Sequence, residues 1–177
     1  MSAPDKTIPP NASGFTTMEV LVCLATVAIL AGLAAPSFRD FVNEQRLAST
    51  MGQLTNDLNF ARSEAIKRNA RVLLCARKPG ATTCANTPDW QNGWLVCYDA
   101  NNDDECDASA AQDPNPVRVA NLLGAQLSLS GSNGVVRFNP IGSSGAVSTL
   151  TLTGTWADST TRIGTVAASG SITTRKN

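Results

Sequence analysis

The sequence predicts an α+β protein in which a long N-terminal helix, apolar enough to anchor in a membrane, packs on a C-terminal antiparallel β head. Three observations support this prediction. An apolar run with Thr26 as its only polar residue extends from Val20 to Ala35. A helical stripe of apolar residues follows that run, and short apolar runs separated by turn residues fill the rest of the chain. The 177 residues suffice for one domain with its own core plus such an anchor.

The segment before the apolar run is unlike a secretory signal peptide. Residues 1–14 carry one lysine and one aspartate, whereas a secretory signal begins with a net positive segment. Glu19 stands at the start of the membrane segment, and a charge at the centre of such a helix costs about 2.5–3.5 kcal/mol, so charges there are usually functional. Small residues at Leu33-Ala34-Ala35 keep a cleaved secretory signal as an alternative.

The helix signal continues beyond the membrane segment. Apolar residues recur at spacings of three and four, which is typical of one helix face, at Leu47, Met51, Leu54, Leu58, Ala61 and Ala65. A helix from Phe15 to about Ala70 would be roughly 80 Å long at 1.5 Å per residue. Gly32 and Pro36 are the predicted points of bending, because each weakens a helix and proline removes one hydrogen bond.

After Ala70 the pattern changes to that of antiparallel strands. Turn signals such as Pro-Gly at 79–80 and Asn-Gly at 92–93 separate short runs rich in Val, Leu and Thr. The predicted strands cover residues 71–76, 94–98, 117–122, 126–129, 135–138, 146–152 and 162–167.

Composition argues against an enzyme. Fourteen basic and fourteen acidic residues cancel, and the chain has no histidine, the commonest general base and a common metal ligand. No Ser-Lys or paired-carboxylate spacing replaces it. We therefore predict no catalytic residue, no cofactor and no metal site, with one weak exception. Asp99, Asn101, Asp103 and Asp107 have the alternating oxygen ligands that begin a calcium loop, but the loop lacks the glycine and the final glutamate of that motif.

Five cysteines divide into Cys23 in the apolar run and four in the β-rich part. Cys23 is most simply a small apolar residue of the helix. The other four indicate an oxidising compartment and two disulfides, for which three pairings are possible. We favour Cys75–Cys84 and Cys97–Cys106, because each would close a short polar loop after a strand.

The residues around the start of the apolar run resemble the class III signal of the type IV pilin family, with Gly14, Phe15 and Glu19 matching one by one. This resemblance implies that prepilin peptidase cuts after Gly14, that Phe15 becomes N-methylated and that Glu19 acts in assembly. Pro36 falls where many members of that family have a helix-bending proline.

Later motifs resemble the GspH/FimT class of minor pilins and pseudopilins: Ala61-Arg-Ser-Glu-Ala-Ile, Cys75 with Cys84, Trp90-Gln-Asn-Gly-Trp and Phe138-Asn-Pro-Ile-Gly. The tryptophans alone would also suit the edge of a core. The resemblance implies a leader at 1–14, a helix at 15–70 (15–37 in the membrane or filament core, 38–70 amphipathic) and a periplasmic head at 71–177.

The function implied is that of a low-copy minor pilin in a type IV pilus, priming assembly or forming part of the tip, with a type II secretion pseudopilin as the alternative. The expected location is the bacterial inner membrane, crossed once, and afterwards the filament. The expected partners are other minor and major pilins, prepilin peptidase and the inner-membrane assembly platform.

DNA binding for transformation is an alternative of another class. DNA-uptake members of this class carry a Gly-Arg-x-Arg element near the C-terminus, but here Ser171 and Thr173 follow Gly170 where arginines would stand. Arg162, Arg175 and Lys176 remain as candidate phosphate contacts. Because affinity scales with the number of phosphates neutralised, these three cations predict weak binding.

Overall fold

The computed structural model describes residues 14–107, 114–121, 124–156 and 159–177, without the side chains of residues 33–36. Residues 1–13 of the predicted leader at 1–14, the side chain of Pro36, and Leu122 of the third predicted strand lie outside this description. The elements are α1 (Thr17–Arg68), β1 (Val72–Ala76), β2 (Trp94–Tyr98), β3 (Arg118–Val119), β4 (Leu127–Gly131), β5 (Val135–Phe138), β6 (Ser148–Gly154), β7 (Thr161–Val166) and β8 (Ile172–Lys176).

The long helix α1 begins and ends within two residues of the predicted bounds. The chain divides into two units between Asp40 and Phe41. By length and hydropathy no single helix among the described residues meets the criterion for a membrane span, whereas Thr17–Gly32 and Ser37–Arg68 meet it together as a bent pair. At the C-terminal end Asn69 adopts a positive φ of 50°, and the backbone N–H of Ala70 donates to the carbonyl of Ala65, which closes the helix with a left-handed cap.

The apolar stripe of α1 forms the centre of the head. Its six residues, from Leu47 to Ala65, are each at most 4% exposed. One core cluster joins them to side chains of both sheets, including Val96 of β2 and Leu150 of β6. The periodicity of the sequence thus predicts the buried face of residues 47–65 correctly, because burying that apolar face removes its surface from water.

The first sheet has the order β3-β2-β1-β5, and all of its pairs are antiparallel. Strands β1 and β2 are buried on both faces. One face packs against α1 through residues such as Val72 and Trp94. The opposite face forms a small second core with the cysteines and Leu95, so that loops rather than solvent cover it.

The second sheet has the order β4-β6-β7-β8 and is also antiparallel. Burial alternates along β6, as expected for a strand with one face in the core and one face towards solvent. The sequence does not predict the edge strand β8, and β3 is shorter than the predicted run at 117–122. The predicted α+β class, with a helix packed on antiparallel sheets, is confirmed.

Candidate functional site

The N-terminal end of α1 holds the residues that the sequence assigns to processing and assembly. Gly14 and Phe15 precede the helix, and Phe15 is 80% exposed. The backbone N–H of Glu19 donates to the hydroxyl of Thr16 at 3.2 Å. Thr16 is therefore the N-cap and Glu19 the third helical residue, the spacing of a capping box. This places the carboxylate in the first turn, where the helix dipole favours negative charge.

Glu19 is exposed and has no salt bridge among the described residues. An exposed carboxylate entering an apolar environment needs a cationic or hydrogen-bonding partner, because an unpaired charge there is costly.

The helix surface at residues 18–30, on either side of Glu19 in the chain, is apolar in every direction. Eight large residues are between 46% and 69% exposed: Met18, Val20, Leu21, Val22, Leu24, Val27, Ile29 and Leu30. Cys23 is a free, exposed thiol on the same segment. The polar residue of the run, Thr26, donates its hydroxyl to the carbonyl of Val22 at 2.8 Å, which satisfies its donor inside the helix. A contiguous apolar surface of this extent is typical of a segment that lipid or other subunits cover.

Two carboxylates, seven residues apart on α1, anchor the helix to β2. Asp57 is 6% exposed and accepts hydrogen bonds from the indole N–H of Trp94 at 2.9 Å and from Arg118 at 2.8 Å. Glu64 accepts from the hydroxyl of Tyr98 at 3.1 Å. Because Trp94 and Tyr98 lie on the same face of β2, the two carboxylates determine how the helix lies along the strand.

Replacing Asp57 by alanine should destabilise the head by about 2–3 kcal/mol, since it leaves a buried indole N–H without an acceptor and removes a charged hydrogen bond. Urea unfolding of the full chain in detergent, followed by tryptophan fluorescence, measures the loss. Asn56→Ala, a change at the neighbouring exposed position, is the matched control. Equal midpoints for the two variants would contradict the anchoring role.

The two tryptophans of the Trp90-Gln-Asn-Gly-Trp motif are both core residues. Trp90 is fully buried and Trp94 is 1% exposed. The indole N–H of Trp90 donates to the carbonyl of Asn133 at 3.0 Å. Gly93 between them has a φ of 87°, and a Cβ there would lie 2.4 Å from the carbonyl oxygen of Ala120. The motif thus builds the core of the head.

The structure contains the disulfides Cys75–Cys84 and Cys97–Cys106. These are the pairs that we favoured among the three possible pairings. Each joins a residue of β1 or β2 to the loop that follows the strand. The sulfur atoms lie on the face of the first sheet that is turned away from α1.

The carboxylates of the acidic loop accept hydrogen bonds from groups of the loop itself and do not converge on an open cation site. Asp99 is fully buried and accepts the backbone N–H groups of Asp103 and Asp104, at 3.0 and 3.2 Å. The carboxylate of Asp107 accepts the N–H of Ala100 at 2.7 Å. The side-chain amide of Asn101 donates to Asp103 at 2.8 Å.

Two arginines neutralise carboxylates of the same loop. Arg71 Nε lies 3.1 Å from Asp99 Oδ2, and Arg71 also pairs with Asp104. Arg137 donates two hydrogen bonds to Asp104, at 2.7 and 2.5 Å. Calcium needs several carboxylate oxygens that are free to face it, and the geometry gives no support to that weak candidate.

The three cations considered for DNA do not form one surface. In the β7–β8 register Arg162 pairs with Lys176, whereas Arg175 pairs with Ile163, so Arg175 points to the opposite face of the sheet. Lys176 is 3.5 Å from Glu44 of the helix, and Arg162 is half-buried. Only a few phosphates could be neutralised by this arrangement, and it does not favour DNA binding.

Two helix carboxylates are held in their ionised form. Burial raises the pKa of Glu64, but hydrogen bonds from Arg68 and Tyr98 and the charge of Lys67 outweigh it, so that this pKa lies below the ordinary value. Burial likewise raises the pKa of Glu44, and hydrogen bonds from Thr160 with the charge of Lys176 bring it below the ordinary value. The pKa of Asp99 is shifted in the opposite direction: burial raises it above the ordinary value, in spite of the nearby charge of Arg71.

The depressed pKa of Glu64 predicts a loss of stability in acid. Its contribution is complete above the unfolded-state pKa near 4.5 and is lost as the pH falls through the lower folded-state value. Glu64→Gln should therefore flatten the decline in the free energy of unfolding below about pH 4.5. Urea titrations between neutral and acid pH measure this, with the exposed Glu105→Gln as control. A decline of unchanged steepness in Glu64→Gln would refute the assignment.

Sequence reasoning missed several functional contacts. The sequence alone indicates no role for Asp57 or Glu64, yet both carboxylates accept hydrogen bonds from side chains of β2. The only available signal was that each stands beside a residue of the apolar stripe. Thr16 as the helix cap was recognisable from its spacing to Glu19.

A family model described as "Type II transport protein GspH" matches residues 50–171. Among solved structures, the chain is similar to the type IV minor pilin FimU of Pseudomonas aeruginosa in a P21 crystal form, with a TM-score of 0.55 and 18% identity over 76% of this chain and 92% of that chain. The same protein in a P65 form gives a TM-score of 0.54 and 19% identity over 72% and 91% of the two chains. No curated protein sequence matches.

Proposed function

The chain belongs to the GspH family of pilin-type proteins, and on that basis we propose that it is a minor pilin, incorporated in low copy into a type IV pilus, where it primes assembly or forms part of the tip. The observation that carries this proposal is the exposed apolar surface of residues 18–30, headed by the capped Glu19. An apolar helix segment that precedes a folded β head in the chain suits a subunit that moves from lipid into a filament core. Pilins are structural proteins, and no enzymatic role is proposed.

The proposed division of the chain follows from the same reasoning. Residues 1–14 would be removed as a leader, residues 15–37 would lie in the inner membrane and later in the filament core, and residues 38–70 would hold the head 71–177 in the periplasm. Both disulfides suit an oxidising compartment. The partners would be prepilin peptidase, the inner-membrane assembly platform, and other minor and major pilins.

The leader proposal makes a prediction for the mature protein. Cleavage after Gly14 and methylation of the new amino group should leave a chain that starts at N-methylated Phe15. Intact-mass analysis of the protein isolated from membranes measures this directly. Gly14→Leu, which removes the cleavage residue, should leave the full-length mass. A mature chain starting at Met1 or near Ala35 in the unmodified protein is the contrary outcome.

A type II secretion pseudopilus is the competing assembly, since the matched family description names that transport system. Deletion of the gene separates the two. Loss of surface pili and twitching motility with normal exoprotein secretion supports the pilus. Loss of secretion with normal pili overturns the proposal in favour of the pseudopilus. Complementation with the unmodified gene controls for effects on neighbouring genes.

A further inference from the structure

The two disulfides of the head lie against one another. The sulfur atoms of Cys75, Cys84, Cys97 and Cys106 all lie within 4.8 Å of one another. Across the two bonds, the sulfur of Cys84 is 3.6 Å from the sulfur of Cys106. This separation is close to van der Waals contact, so a thiolate at either position would already be beside the sulfur that it must attack.

The four cysteines differ in their exposure to solvent. Cys75 and Cys97 are fully buried and Cys84 is 4% exposed. Cys106, in the acidic loop, is only partly buried. An external thiol can therefore reach the pair of disulfides through Cys106, whereas the Cys75–Cys84 bond is shielded. Asp103 and Glu105, both exposed, stand within three residues of Cys106 in the chain, and their negative charge favours a neutral reagent over an anionic one.

We propose that Cys106 is a thiol–disulfide exchange site through which an external dithiol reaches the buried Cys75–Cys84 bond. The dithiol thiolate attacks the sulfur of Cys106, breaks the bond to Cys97 and releases Cys97 as a thiolate that takes a proton. The second thiol of the reagent then displaces Cys106, and the reagent leaves as a cyclic disulfide. Two electrons and two protons have passed from the reagent to the two cysteines.

The second step is internal to the head. The Cys106 thiolate attacks Cys84 across the 3.6 Å gap, forms the Cys84–Cys106 bond and releases Cys75 as a thiolate that is then protonated. This exchange consumes no electrons. One equivalent of dithiol thus leaves thiols at Cys75 and Cys97, both of which are buried. Run in reverse, the same steps let an oxidant that touches only Cys106 close the buried disulfide.

The test uses the full chain in detergent micelles with one equivalent of dithiothreitol, a neutral dithiol. After an acid quench the thiols are alkylated, and digestion with trypsin and Asp-N separates the four cysteines, because Arg77, Asp89 and Asp99 lie between them. Cys23, a free thiol in every sample, is the internal standard. The expected label lies on Cys75 and Cys97. Label on Cys97 and Cys106, with Cys75–Cys84 intact, would overturn the proposal.

Two variants test the route independently. In Cys97→Ser/Cys106→Ser the entry point is gone, and dithiothreitol should reduce Cys75–Cys84 at least about tenfold more slowly than in the unmodified chain. An unchanged rate would exclude relay through Cys106. In Cys75→Ser/Cys97→Ser the remaining thiols should oxidise in air to Cys84–Cys106. Persistence of both as free thiols, with the near-ultraviolet circular dichroism of the native head, would show that they do not meet.

Discussion

Glu19→Ala is expected to leave an inserted protein with a folded head that enters filaments poorly. The carboxylate stands in the first turn of α1 without an ion pair among the described residues, far along the chain from the core of the head. Within the proposed filament its partner would be the α-ammonium of Phe15 of a neighbouring subunit. Without the Glu19 carboxylate, the α-ammonium of Phe15 would be an unpaired charge in a low-dielectric surrounding, which is strongly unfavourable.

We expect the filament-bound fraction to fall at least about tenfold, the effect of losing about 1.4 kcal/mol. Immunoblots of sheared filaments against membranes measure the fraction. Glu19→Gln keeps a side chain that can complete the capping box but removes the charge, so it should fail as Glu19→Ala does. Asp40→Asn neutralises another exposed carboxylate of α1 and should behave normally. Normal incorporation of both Glu19 variants would disprove the pairing.

The sequence predicts those parts of the fold that depend on local periodicity. The stripe from Leu47 to Ala65 determines the buried face of α1, and the runs at 94–98 and 135–138 coincide with β2 and β5. Strand β8 escapes prediction because Thr173, Thr174, Arg175 and Lys176 are polar on both faces of an exposed edge strand. Its place in the sheet is determined by pairing with β7 and not by burial.

Two features of the candidate site could be predicted from the sequence, the disulfides and the cap of α1, because each joins residues that are close together in the chain. The favoured disulfide pairs rest on two short loops, and the cap of α1 rests on a spacing of three residues. The contacts of Asp57, Glu64 and Arg71 join residues more than 25 positions apart in the chain. No pattern in one sequence reports such long-range partners, and the convergence of two disulfides on one sheet face likewise depends on the β1–β2 register.

One such long-range contact joins two motifs that the sequence treats separately. Gly142 closes the Phe138-Asn-Pro-Ile-Gly motif, and its carbonyl accepts a hydrogen bond from Arg62 of α1 at 2.9 Å. Gly170, in the turn between β7 and β8, has a φ of 82°, and a Cβ there would lie 1.9 Å from the same carbonyl oxygen. The N–H groups of Ser144 and Gly145 also donate to Ala168. Glycine at 170 is therefore required by the close approach of two backbones.

Gly170→Ala should consequently destabilise the head by about 3 kcal/mol or more, combining a left-handed backbone cost of about 1–2 kcal/mol with displacement of the 139–145 loop. The matched control is Gly145→Ala, because Gly145 has a similar φ of 71° but its added Cβ would meet no atom closer than 3.9 Å. That variant should show the backbone cost alone. Urea unfolding of both full-length chains in detergent gives the two values, and equal losses would mean that the contact with Gly142 contributes nothing.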